Sequence, residues 1–283
     1  MDLVAFLVGL GFLAVASWHD IRTREVPDLV SYGLILFAVG YGVAKALLLA
    51  SWLPLLGMLA GFAAGVGLGL LLFYLGQWGG ADSKLLMGLG GLLGLWLGNY
   101  DLLFFFVLVL LAGAAYGVLS VAWLAYRHRR AFLTRFKTLI REPLIHRSRM
   151  IVIICCFLFL IAAIFLADYR SLLIGVTVAA YLLYYLWFSV KVVEQAILSK
   201  EYPVGKLTEG DWILKDVVVR GKRICGPKDL GISQEQIAAL KRLKVKSVWV
   251  KEGIPFVPSF LIAFLLLWLF APALTTLFSV FIW

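Results

Sequence analysis

Eight long apolar runs, at about residues 2–18, 29–49, 52–76, 85–98, 102–125, 150–167, 171–190 and 258–282, leave this chain few folds to choose from. Most of them approach or exceed the roughly 20 residues that a helix needs to cross the hydrocarbon core of a bilayer. In lipid every backbone N–H and C=O must find a partner within the protein, and a helix supplies those partners by itself. Charged residues make up 15% of the chain and apolar ones 63%, against about 25% and 45–50% in soluble domains. A soluble globular fold and a disordered chain are therefore both excluded. The first run is expected to be a span and not a secretory signal, because Met1-Asp2 lacks a basic region and no small-residue cleavage site precedes Trp18-His19-Asp20. Cys155 and Cys156 are adjacent in an apolar run and Cys225 stands alone. That pattern offers neither a disulfide framework nor a C-x-x-C metal site, so no metal and no cofactor are expected.

The cations orient the chain. With the N-terminus outside, 24 of the 26 lysines and arginines fall on inside segments, and only Lys45 and Arg170 lie outside. The short segments carry the most weight in this rule: 19–28 with Arg22 and Arg24, and 126–149 with eight cations. The expected topology has both termini outside and the connections around 19–28 and 77–84 at the cytoplasmic face. Between the seventh and eighth runs, residues 199–256 alone have a soluble composition. Asp216–Arg220 and Lys246–Lys251 are rich in β-branched residues and are predicted strands. Ser233-Gln234-Glu235-Gln236 opens a predicted helix as a capping box, with Ile237, Leu240 and Leu243 on one face, and 209–211 and 251–253 are predicted turns. The chain is thus expected to be an all-α polytopic membrane protein of about eight transmembrane helices with a small cytoplasmic α+β insert before the last span. Its parts are a five-span unit 1–125, a basic loop 126–149, spans six and seven in 150–198, the insert 199–256 and the last span 257–283.

Carboxylates near membrane depth carry the first functional signal, since a charged Asp at the centre of a spanning helix costs about 2.5–3.5 kcal/mol on insertion scales. Asp20 ends the first run and Asp82 precedes the fourth, in Gly79-Gly80-Ala81-Asp82-Ser83-Lys84. The topology puts both near the cytoplasmic interface. Two such groups brought together can share a proton, one acting as base toward water and the other as acid toward a leaving amine. The small residues Gly79, Gly80 and Ala81 permit close approach of a backbone, and Lys84 is placed to stabilise a carboxylate. The structural alternative is that each Asp is a helix cap or interface anchor. An ion- or proton-coupled transporter would use the same pair as a relay, but such relays favour the midplane over an interface beside basic loops.

The wording around the two positions is more specific. Asp20 followed by Arg22-Thr23-Arg24-Glu25-Val26-Pro27, together with Gly79-Gly80-Ala81-Asp82-Ser83-Lys84, resembles the archaeal preflagellin and prepilin peptidases, which are type IV prepilin peptidase-like membrane aspartyl proteases of the GxGD type. The likeness covers the first four runs, and Ala81 stands where the strict wording has a second glycine. It implies an endopeptidase with Asp20 and Asp82 as its catalytic pair, acting on archaellin or pilin precursors whose short basic leader precedes an apolar helix. Glu25 and Asp28 would then be near enough to receive the leader's cations. Bacterial relatives carry a cysteine cluster and methylate the product; no such cluster is present here, so cleavage without methyl transfer is expected. The implied location is the cell membrane, and the oligomeric state is unknown from the sequence.

Other features read as structural. The basic run from Arg127 to Arg149 serves as an orientation signal that also attracts anionic headgroups. Nucleic acid is not an expected partner, because the cations lack aromatic interleaving or a known module. Pro272-Ala273-Leu274 matches a triplet of presenilin-type proteases by chance in a Leu-rich helix, and Ile254-Pro255-Phe256-Val257-Pro258 reads as a stiff lead into the last span with no chemistry of its own.

Overall fold

The computed structural model describes residues 1–96, 98–219 and 221–282. The side chains of 271, 272, 274, 275 and 277–282 lie outside the described residues, so Pro272 and Leu274 of the triplet fall outside them, as does Arg220 of one predicted strand. The helices are α1 (Leu3–Thr23), α2 (Asp28–Leu48), α3 (Leu53–Tyr74), α4 (Gly80–Leu93), α5 (Asp101–Arg127), α6 (Arg129–Leu139), α7 (Pro143–Phe165), α8 (Arg170–Val193), α9 (Gln234–Arg242) and α10 (Val257–Ile282). The strands are β1 (Ser199–Pro203), β2 (Trp212–Ile213), β3 (Val217–Val219), β4 (Lys222–Cys225) and β5 (Ser247–Lys251). Among the described residues six helical stretches are long and apolar enough to span a bilayer: α1, α2, α3, α5, α7 and the stretch Ala167–Leu198 that contains α8. Of the other two expected spans, α4 has 14 residues, about 21 Å at 1.5 Å per residue, which is shorter than the roughly 30 Å hydrocarbon core. It ends early because Gly94 turns the chain with φ +68°, a conformation glycine adopts without steric cost. The eighth coincides with α10, whose described apolar stretch is Val257–Phe270.

The chain divides into two compact units, Met1–Gly117 with Gly253–Trp283, and Val118–Glu252. In the first, α1 turns a regular stripe inward: Phe6, Gly9, Leu13, Ala16, Ser17 and Asp20 recur at three- and four-residue steps and are all buried, the spacing of one helix face. Asp20 is the last member of that stripe. Phe6 stacks on Phe264 and Trp268 of α10 at 5.9 and 4.3 Å, and Phe105 of α5 packs on Phe260 and Phe264. The core therefore sits where α1, α5 and α10 meet, with Leu85 and Leu89 of α4 in it.

Short α4 lies between α2 and α3. On α2, Ser31, Leu34 and Ala38 are buried, and Leu34 and Ala38 fill the spaces over Gly88 and Gly91. On α3 a row of glycines, Gly57, Gly61, Gly65 and Gly69, brings two backbones into contact: a Cβ on Gly65 would lie 2.6 Å from the Leu86 carbonyl oxygen, and one on Gly61 would collide with that of Gly90. Small residues four apart are the usual device for close helix pairs in lipid. The Ser83 hydroxyl donates to the Gly69 carbonyl at 2.9 Å and fixes the register of the pair. This register locates the start of α4, and so Asp82, along α3.

In the second unit, Phe132, Phe136 and Leu139 of α6 recur on one face and pack on Phe188 and Val192 of α8. This apolar face makes a helix within the basic segment 126–149, while the cations occupy the other positions. The insert holds a three-stranded antiparallel sheet of order β1-β5-β2 and a β3-β4 hairpin. Val248 and Val250 of β5 face Ile237 and Leu240 of α9 in a small core with Cys225, whose thiol is pushed up in pKa by burial and is accordingly unreactive. The capping box is formed: Gln236 N–H donates to the Ser233 hydroxyl and Ser233 N–H to the Gln236 side chain. Ser233→Ala is expected to cost about 1 kcal/mol of local stability. Faster amide exchange in α9 of the full chain, with α3 and α4 unchanged, is the measurement that checks it.

Candidate active site

The two aspartates lie on α1 and α4, which touch, and both belong to the first unit. Asp20 is 7% exposed, being carried inward by the stripe described above. Its Oδ2 accepts the N–H of Val257, the first residue of α10, at 2.9 Å. Helix N-termini favour anions because their first N–H groups lack helical partners and carry partial positive charge. Asp82 is the third residue of α4 and half-buried. Its Oδ2 accepts the N–H of Gly79 at 3.0 Å, so it caps its own helix. Asp20 thus stands in the last turn of α1 and Asp82 in the first turn of α4.

The neighbouring residues are placed less as the sequence suggests. Lys84 pairs with Asp28, Nζ to Oδ1 at 2.6 Å, and lies 4.9 Å over the Tyr32 ring. The carboxylate that Lys84 stabilises is therefore Asp28, which opens α2 and is well exposed. Glu25 is exposed on the α1–α2 connection, which begins with Arg24 in a left-handed conformation at φ 60°. Gly79 and Gly80 are exposed, and beyond the local turn the nearest atom to a Cβ built on Gly80 is a Phe73 ring carbon at 4.0 Å. No neighbouring helix backbone presses on either glycine, so the space over them is open. Among the described residues no cluster of His, Cys, Asp and Glu is arranged to hold a metal ion.

The segment to which sequence reasoning gave no chemistry is the one that reaches the site. Val257 touches Asp20, and Phe256 and Phe260 pack on Trp78, next to Gly79, at 5.7 and 5.2 Å. A proline two residues into a helix signals where α10 begins, but a backbone N–H has no signature of its own in a sequence.

Fold and site together define a helical membrane protein with two interior-facing carboxyls on adjoining helices. Residues 7–118, which include both, match the model of the type IV leader peptidase family. Over 91 residues the chain is also similar to the preflagellin peptidases of Methanocaldococcus jannaschii, 34% identical, and Methanococcus voltae, 32% identical. Each alignment covers 32% of this chain and 38% or 39% of the relative, so the chain matches well under half the length of these curated relatives. No solved structure matches it. The resemblance read from Asp20 and Gly79–Lys84 thus has a family match behind it over residues 7–118.

Proposed function

We propose that this chain is an aspartyl endopeptidase of the membrane that removes the short basic leader from archaellin-like or type IV pilin-like precursors, with Asp20 and Asp82 as its catalytic pair. The observation that carries the reading is the pair of buried and half-buried carboxyls on touching helices, inside the stretch that matches leader peptidases. Hydrolysis needs one carboxylate to take a proton from water as its oxygen attacks the scissile carbonyl carbon, and one carboxylic acid to protonate the departing nitrogen as the C–N bond breaks. A close pair holding one proton supplies both. The open space over Gly79 and Gly80 suits an extended peptide beside Asp82, and the exposed Glu25 is free to meet a leader cation, whereas Asp28 would have to leave Lys84 to do so.

The rest of the reading follows the charge map. It has about eight spans, both termini outside, and the paired aspartates at the cytoplasmic face where leader and apolar helix meet. The membrane unit 1–125 and last span 257–283 would house the site, with the segments 126–149 and 150–198, and the insert 199–256 as far as the connector that begins at Gly253, outside the chemistry. Incubating the purified full chain with an archaellin precursor in detergent tests this. The expected result is a product shortened by the leader, with an unmethylated new amino terminus by mass. An uncut precursor overturns the activity; a methylated product overturns the reaction type.

A further inference from the structure

We propose that the first turn of α10, with the connector Gly253–Phe256 leading into it, is a positioning element of the active site that sets both carboxyls at once. The inference rests on the catalytic reading of Asp20 and Asp82, and it lies outside residues 7–118, where the family match ends.

Two hydrogen bonds and a pair of ring contacts carry it. The Val257 N–H holds Asp20 Oδ2 at 2.9 Å in a buried hydrogen bond that joins residues 237 positions apart. Just past the end of α1, the Arg24 guanidinium donates to the Gly253 carbonyl at 2.5 Å. The connector is thus tied to the end of α1 at both of its ends, by Asp20 in the last turn of that helix and by Arg24, the residue that caps it. From the same turn, Phe256 and Phe260 pack on the buried Trp78, whose chain continues directly into Gly79 and the N–H that holds Asp82. Gly113 of α5 leaves the room for this: a Cβ there would come within 2.6 Å of the Phe256 ring. One element therefore reaches Asp20 through a backbone donor and Asp82 through a ring contact and a tight turn.

A carboxyl oriented by backbone donors keeps a free oxygen directed at the reacting water, and losing a hydrogen bond to a charged group in a buried site reduces the population so aligned. The effect falls on turnover and not on capture of the precursor. Val257→Pro deletes the N–H at a helix position where proline is tolerated, and Val257→Ala keeps it. For the purified full chain acting on an archaellin precursor, kcat of Val257→Pro should fall about tenfold or more with KM unchanged. Val257→Ala should keep a kcat well above that of the proline variant. A second variant, Phe256→Leu, keeps the backbone and loses the ring on Trp78; its kcat should fall severalfold, again at constant KM. Wild-type kcat in Val257→Pro, or an equal loss in Val257→Ala, overturns the proposal. If Val257→Pro does not accumulate in the membrane, an unchanged kcat in Phe256→Leu overturns it. Asp20→Asn in the same assay separates the two levels: activity there removes the catalytic reading, while an inactive Asp20→Asn beside a fully active Val257→Pro removes the positioning role alone.

Discussion

Asp82→Asn is expected to lower precursor cleavage by about 10²–10⁴-fold, and Asp20→Asn by a similar factor, with both proteins still inserted in the membrane. The amide keeps the shape of the carboxyl and an oxygen able to accept the same backbone N–H, Gly79's at position 82 and Val257's at position 20. The helix start and the link to α10 therefore survive while the exchangeable proton is lost. Because the two groups act on one water and one leaving nitrogen, their losses should not multiply: the double variant should cleave about as slowly as either single one. Independent caps would behave otherwise, each costing stability and neither activity. The rate of appearance of mature-length product, measured beside a thermal unfolding curve in detergent, distinguishes the two. Near-wild-type cleavage by either single variant removes the pair as the catalytic device.

The parts of this arrangement that were legible in the sequence are those written in side chains. Asp20 and Asp82 stand out as carboxyls at the ends of apolar runs, the capping box at Ser233 forms as its four residues predict, and the β-branched runs become β3 and β5. The strands β1 and β4 were not legible, because Ser199–Pro203 and Lys222–Cys225 are largely polar or charged and owe their conformation to the partners β5 and β3. Lys84 stands two residues from Asp82 but pairs with Asp28, 56 residues away, and only the packing of α2 on α4 decides that choice. The bond from Val257 to Asp20 was beyond reach for a deeper reason. Its donor is a main-chain group shared by nearly every residue, and its span of 237 positions exists only once α1 and α10 are packed.

Gly61→Leu is expected to destabilise the membrane unit by about 3 kcal/mol or more, at the upper end of what overpacking costs, and to abolish cleavage even where some protein accumulates. At most core sites an added methylene is absorbed by a rotamer change in a neighbour. Here the obstacle is backbone on backbone: the new Cβ meets the Gly90 carbonyl and then Gly94, while Gly90 in turn has the Gly61 carbonyl against it. No flexible group is available to give way, so α4 must move off α3. Asp82 rides on the first turn of α4, and the Ser83 hydrogen bond to Gly69 that fixes its height would be stretched or broken. Gly67 is the internal control, since it lies in the same helix and a Cβ there meets nothing within 4 Å. Gly67→Leu should therefore melt within a few degrees of the wild type and retain its cleavage rate. Equal melting temperatures for the two leucine variants would mean that α3 and α4 are not in backbone contact in the membrane, and that the position of Asp82 is set by α2, α10 and the Trp78 turn alone.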